Sequence, residues 1–304
     1  MEEFWQQVVT GIATGSVYVL LALAVVLIYR STSVLNFAQG EMAMLTTFAA
    51  WSILQWGEYW VMFPLVLLIA AGMGAFIERV VIRPVEGAPV LNIVIVTLGL
   101  FAILNNVATW RWGGIPKGFP APPEVQVMGI RFMGEGALDI GPTVVSYHDL
   151  TILVFAVAIM VALYLFFQYT PLGLAMRATA QNPVASRLMG IRVGRMLTVG
   201  WALSAAVGAV AGLLIAPLIL LQPPMMMGVL LFAFAAAVLG GLDSPVGAVV
   251  GGLIIGISEN LVGTYTPEDW LGPDMKLTVT LLIIVVVLLI RPTGIFGRRT
   301  MRRV

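Results

Sequence analysis

The sequence predicts an all-α polytopic membrane protein with about eight to nine hydrophobic helical segments. Two observations predict it. Of the 304 residues, 60% are hydrophobic and only 10% are charged, whereas a soluble domain carries about 25% charged residues. The apolar residues also cluster into long runs, and a helical run of about 20 residues matches the ~30 Å hydrocarbon core of a bilayer. The runs lie at about 8–29, 37–56, 60–77, 90–109, 150–168, 197–220, 228–241, 246–263 and 275–291.

The first run follows Glu2 and Glu3 rather than a basic stretch, and it is too long for a cleavable signal core. It reads as a retained spanning helix. The seventh is short, so 228–263 reads either as two crossings or as a broken or re-entrant pair. Backbone that leaves helix at membrane depth must be buried or line a polar cavity. The chain 1–304 is then one transmembrane domain.

Basic residues set the expected orientation. Arg177, Arg187, Arg192 and Arg195 crowd a 169–196 loop without acidic residues, and Arg298, Arg299, Arg302 and Arg303 follow Arg291. With Arg30, Arg79 and Arg83 they mark the cytoplasmic face by the positive-inside rule. The acidic N-terminus and Glu268, Asp269 and Asp274 are then outside, giving N-terminus out and C-terminus in. The 110–149 loop becomes extracytoplasmic. It holds Pro116, Pro120, Pro122, Pro123 and Pro142, and EVQVMGIRF predicts a small hairpin turning at Met128-Gly129. Such a loop is either a solvated connector or a docking surface.

Several function classes drop out. A net charge of +1 gives no footprint for nucleic acid. The chain has no cysteine and one histidine, His148, so thiolate and His-cluster metal sites are excluded. The only lysines are Lys117 and Lys276, and no P-loop is present. No catalytic group and no bound cofactor or metal is predicted, and no enzymatic activity is expected of the chain itself. Any ATP-driven work belongs to a partner.

The polar residues are therefore informative. In TPLGLAMRATAQNPVASRLMGI, Pro171 and Gly173 stop the preceding helix, and Leu174 to Gln181 form a short one. Asn182 caps a second, with Pro183 in its first turn and Gly190 at its end. Val184, Ala185, Leu188 and Met189 share one face, which suits either the membrane surface or a groove in a soluble partner. Glu41 and Glu259 lie inside apolar runs, where ionisable groups face a bundle interior. Glu259 also reads as an outer-end residue reaching water, and Glu78 as a surface ion pair with Arg79 or Arg83. Thr97, Asn105 and Asn106 are polar at membrane depth. Asp243-Ser244-Pro245 predicts a tight turn.

Glycines four apart (Gly11/Gly15, Gly208/Gly212, Gly247/Gly251, Gly252/Gly256) let helix backbones meet closely, inside the bundle or against another subunit. LNFAQGEMAML, residues 35–45, falls at the cytoplasmic start of the second run. Asn36 and Gln39 have the spacing of a cap and its partner, with Ser33 as a rival cap. Glu41 then complements the helix dipole.

LNFAQGEM, IERVVIRPV, GLAMRATAQNPVASRLMGI, AVLGGLDSPVGAVVGGLIIGISE and RPTGIFGR occur in that order. Together they resemble the LivH-type permeases of branched-chain amino-acid ABC importers, across nearly the whole chain. The resemblance implies a multi-pass bacterial inner-membrane permease that moves solute by alternating access. It implies four partners: a LivM-like second permease, two ATP-binding subunits using ATP and Mg, and an extracytoplasmic substrate-binding protein. It assigns Gly173, Arg177, Ala178, Asn182, Ala185 and Gly190 to the ATPase contact. The candidate pathway or gate residues are Asn36, Gln39, Gly40, Glu41, Thr97, Asp243, Ser258 and Glu259. Relatives also carry urea, short amides and other small solutes, so the solute stays open. An ion-coupled secondary transporter is the alternative of another class, with Glu41 and the 228–263 pair as its coupling site.

Overall fold

In the computed structural model the described residues are 2–32, 34–124, 126–127, 130–131, 133–134, 136–140, 143–265, 275–291 and 293–297. Ser33, the Met128-Gly129 turn, Pro142, Glu268, Asp269, Asp274 and the arginines after Gly297 lie outside them.

Each of the nine apolar runs forms a helix. They are α1 (Glu2–Thr32), α2 (Gln39–Leu54), α3 (Tyr59–Ile77), α4 (Val90–Trp112), α5 (Tyr147–Tyr169), α8 (Val193–Ile219), α9 (Met225–Gly240), α10 (Pro245–Tyr265) and α11 (Met275–Ile290). Two short helices, α6 (Pro171–Gln181) and α7 (Pro183–Leu188), fill the arginine loop. Among the described residues six helices are long and apolar enough to cross a membrane: α1, α3 with its continuation, α4, α5, α8 and α10. At about 1.5 Å per residue, the 16 residues of α2 or α9 reach only about 24 Å.

The expected hairpin is present: β1 (Gln126–Val127) pairs antiparallel with β2 (Ile130–Arg131). A second hairpin, β3 (Ala137–Ile140) with β4 (Thr143–Ser146), was not legible in the sequence. Residues 228–263 form two continuous helices joined by a turn, where Gly241 takes a positive φ of 104°. Ser244, not Asp243, caps α10: its Oγ accepts from Gly247 N at 3.0 Å.

Helix contacts divide the chain into two compact units. One comprises Met1–Val26, Ala121–Ala156 and Gly228–Val304. Within it α1 lies backbone-to-backbone on α10, and α10 on α9. A Cβ built at Gly15 would fall 2.8 Å from Gly252 O, and one at Gly251 would meet Ala236 O. The RPTGIFGR motif finishes α9: Ile295 N and Phe296 N donate to the carbonyls of Leu239 and Gly240 at 2.8 and 2.9 Å. Those carbonyls are helix-end acceptors that need partners away from water.

The other unit comprises Leu27–Pro120 and Val157–Met227. Here α8 packs against α3 and α2 around Met42, Ile77, Leu100, Leu104, Trp201 and Ala205. Gly74 lets α3 approach the backbone of Trp201. After Ile77 the chain widens into a single π turn, Glu78–Ile82, followed by a 3₁₀ turn, Arg83–Val85. π turns of this kind are rare and recur at functional positions.

Candidate functional site

The LNFAQGEM stretch forms a polar knot inside the second unit. Asn36, Gln39 and Glu41 are each at most 1% exposed. The expected cap does not form: α2 starts after Ala38, which makes no side-chain cap bond. Asn36 instead turns on its own backbone, with Oδ1 accepting from Ala38 N at 3.1 Å and Nδ2 donating to Gln39 Oε1 at 3.3 Å. Gln39 then reaches α8. Its Nε2 donates to Ser204 O, and the Ser204 hydroxyl donates back to Gln39 Oε1, both at 3.1 Å. Glu41 accepts from Asn105 Nδ2 at 3.1 Å, and Asn105 also donates to Pro223 O at 3.3 Å.

These partners correct the expected level of the motif. Ser204 lies eleven residues beyond Val193, or about 17 Å along α8, and Asn105 lies about 22 Å along α4 from Val90. Both helices begin at the arginine-bearing end, since Arg83 bonds the first turn of α8. The start of α2 thus lies beside the interior of α8 and α4, not level with their arginine-bearing ends. The reason is steric and polar together: Gly208 leaves room for the Gln39 amide, and two polar partners stand ready there. Unwound backbone at this depth is tolerated because protein satisfies its polar groups.

Beneath the knot lies a cavity of about 140 Å³, lined among others by Ile28, Ser31, Asn36, Ile82, Thr97 and Trp201. Thr97 is buried and its hydroxyl donates to Val94 O at 2.9 Å. The Trp201 indole Nε1 is buried with no hydrogen-bond partner among the described residues. A buried donor on a residue that lines a cavity of this size is usually met by water or a ligand. Gly40 is buried in the first turn of α2.

The remaining pathway candidates sit in the other unit. Glu259 accepts from the Tyr18 hydroxyl at 2.6 Å, and Tyr18 stacks on Phe232 with centroids 5.1 Å apart. Glu259 is therefore tied down within the bundle rather than free at an outer end. Ser258 beside it is half-buried, and Asp243 is exposed in the α9–α10 turn.

The arginine loop is built largely as its residues predict. α5 ends at Tyr169, just before Pro171 as expected, but the short helix begins earlier than Leu174: Pro171 opens α6, capped by Thr170, whose hydroxyl accepts from Gly173 N at 3.0 Å. Proline suits a first helical turn because its missing N–H has no partner there. Gly173 lies within α6, pressed against the backbone of Phe166. Arg177 donates to Gln168 Oε1 at 3.2 Å, and Ala178 is half-buried. Asn182 Oδ1 accepts from Ala185 N at 2.9 Å, and Gly190 ends α7 with φ of 83°. Ser186 faces inward, while Val184, Leu188 and Met189 are 66%, 85% and 83% exposed.

Glu78 departs most from its expected role. It is 1% exposed, not a surface residue, and forms a two-point pair with Arg83: Nε donates to Oε1 at 3.1 Å and Nη2 to Oε2 at 3.0 Å. Ser204, Thr198 and Trp201 went unnoticed in the sequence. The one signal for Ser204 was its spacing of four from Gly208, which sets both on the same face of α8.

Residues 7–288 match the family described as branched-chain amino acid transport system, permease component. The permease protein LivH of a high-affinity branched-chain amino acid transport system in Salmonella typhimurium is 30% identical, over 99% of this chain and 98% of that protein. BraD, the corresponding permease protein in Pseudomonas aeruginosa, is 30% identical over the same shares of the two chains. Among solved structures, PsaBC from Streptococcus pneumoniae in complex with Fab aligns over 95% of this chain and 92% of that one, with 12% identity and a TM-score of 0.46.

Proposed function

The chain belongs to the branched-chain amino acid transport system permease family, and from that premise we propose that it is the translocating subunit of an ABC importer in the cytoplasmic membrane. It carries branched-chain amino acids by alternating access and performs no chemistry itself. ATP is hydrolysed, with Mg, by two partner subunits. An extracytoplasmic binding protein delivers the solute, and a LivM-like second permease completes the pathway. The N-terminus is outside, and the arginine-bearing end faces the cytoplasm.

The observation that carries this reading is the α6–α7 pair. It sets Leu188 and Met189 out from the arginine-bearing end, fixed by the Asn182 cap and the Gly190 stop. Held apolar side chains on a short helix suit the groove of a soluble protein. Gly173, Arg177, Ala178 and Ala185 hold that pair in shape. The polar knot at Asn36, Gln39, Gly40 and Glu41, with Thr97 and the cavity below, supports a gate near mid-depth on the route of a small zwitterion. Asp243, Ser258 and Glu259 are proposed as pathway residues of the other unit.

Reconstitution tests the proposal. With its three kinds of partner in liposomes, the chain is expected to give ATP-dependent leucine uptake that valine and isoleucine compete for and urea or short amides do not. Uptake by the chain alone, or uptake abolished by an uncoupler at constant ATP, overturns it.

A further inference from the structure

We propose that Glu78, Arg83 and Thr198 form a positioning link that passes the displacement of α6–α7 into the transmembrane helices and onto the wall of the cavity under Asn36. The inference rests on the importer reading and adds to it the path by which the coupling helices reach the gate.

The geometry is that of a joint with three attachments. The Arg83 guanidinium grips the Glu78 carboxylate at both oxygens, across the π turn that ends α3. The same guanidinium donates to Gly194 O at 2.9 Å and to the Thr198 hydroxyl at 2.8 Å, in the first two turns of α8. The Thr198 hydroxyl donates to Glu78 Oε2 at 2.7 Å. One planar fork thus fastens the end of α3 to the start of α8, a geometry that a lysine ammonium does not reproduce.

Position makes the joint a transmission element. Only Met189–Arg192 separate α7 from α8, and that joint is short and bonded, with Ile191 N donating to Ser186 O at 3.0 Å. A push on α7 therefore arrives first at Val193 and Gly194. On the other side, Ile82, Glu86 and Gly87 flank Arg83 and line the cavity, as do Leu197 and Trp201 flanking Thr198. The joint holds both walls. A π turn breaks the regular helical hydrogen-bond pattern, and such turns recur at functional positions. Coupling over distance travels through such hydrogen-bonded contacts between rigid elements. A surface ion pair would not need a buried carboxylate or a third partner.

The test measures uptake per ATP hydrolysed by the reconstituted four-component importer. Thr198→Val removes one hydroxyl and no charge. We expect it to assemble as the wild type does and hydrolyse ATP within about two-fold of it, while uptake per ATP falls about five-fold, the scale of one hydrogen bond. Thr198→Ser should restore the ratio, and Arg83→Lys should not. A purely structural role would lower uptake and hydrolysis together, so an unchanged ratio in Thr198→Val and Arg83→Lys overturns the link. Failure of Thr198→Val and Thr198→Ser alike to assemble assigns the cluster to stability and overturns it as well. A wild-type complex without ATP-driven uptake overturns the importer reading itself, before any variant is compared.

Discussion

Two helix seams carry the same sequence signature and use it differently. Where α1 meets α10, Gly11, Gly15, Gly252 and Gly256 bring main chains together: a Cβ built at Gly11 would fall 2.7 Å from Ile257 Cα, and one at Gly256 would strike the Gly15 backbone. Where α2 meets α8, Gly208 faces side chains instead, and Gly212 faces the Thr47 side chain beside the Ala43 carbonyl. A Cβ at Gly208 would fall 2.6 Å from Gln39 Nε2, and one at Gly212 would strike the Thr47 hydroxyl. The first seam is a packing contact, favoured in lipid because close backbones gain van der Waals attraction. The second is a recess for polar groups. A pair of glycines four apart therefore says that something lies close, and the facing residue decides what it is.

The largest effect is expected at the first seam. Gly256→Ala meets backbone that cannot rotate aside, so α1 and α10 must separate, at about 3 kcal/mol or more. Thermal unfolding in detergent should show a large loss of folded protein. A variant as stable as the wild type would mean that the two helices are not in backbone contact.

An intermediate effect is expected at the second. Gly208→Ala displaces only the end of a flexible side chain and disrupts the Gln39 bonds to Ser204, at about 1–2 kcal/mol. Much of that cost should vanish in a Gln39→Ala background, where the amide is already gone. A double-mutant cycle measures this, because contacting residues couple by about 0.5–3 kcal/mol. Additive costs would break the assignment of Gly208 as the recess for Gln39.

The smallest effect on stability is expected from Glu41→Gln. The new amide oxygen still accepts from Asn105, so unfolding should shift by less than about 1 kcal/mol. Uptake should nonetheless fall about ten-fold if a carboxylate at this depth faces the solute route. Normal stability with normal uptake would reduce Glu41 to a structural residue at the start of a helix.

The sequence read well wherever the physics is local. Nine apolar runs became nine helices because backbone in apolar surroundings must satisfy its hydrogen bonds within the segment, which a helix does. Asn182, Pro183 and Gly190 placed α7, since caps act within a few residues of themselves. The same local logic misread 35–45. Asn36 and Gln39 are spaced as a cap, yet their partners are Ala38 N and Ser204, the latter far along the chain. The Glu78–Arg83 pair was legible but not its burial, because Glu78 accepts from Thr198, and Arg83 donates to Gly194, both in another helix.

By itself, then, the sequence determined that the chain is a bundle of apolar helices with one arginine-rich capped loop, and which family it resembles. Only the tertiary structure decided that α2 begins beside the interior of α8 and α4, that Glu78 is buried in a three-residue joint, and which glycines meet backbone and which meet side chains. The division has a physical cause. Hydrophobic length and capping are properties of contiguous residues, whereas a buried hydrogen bond needs a partner whose distance along the chain no local pattern encodes.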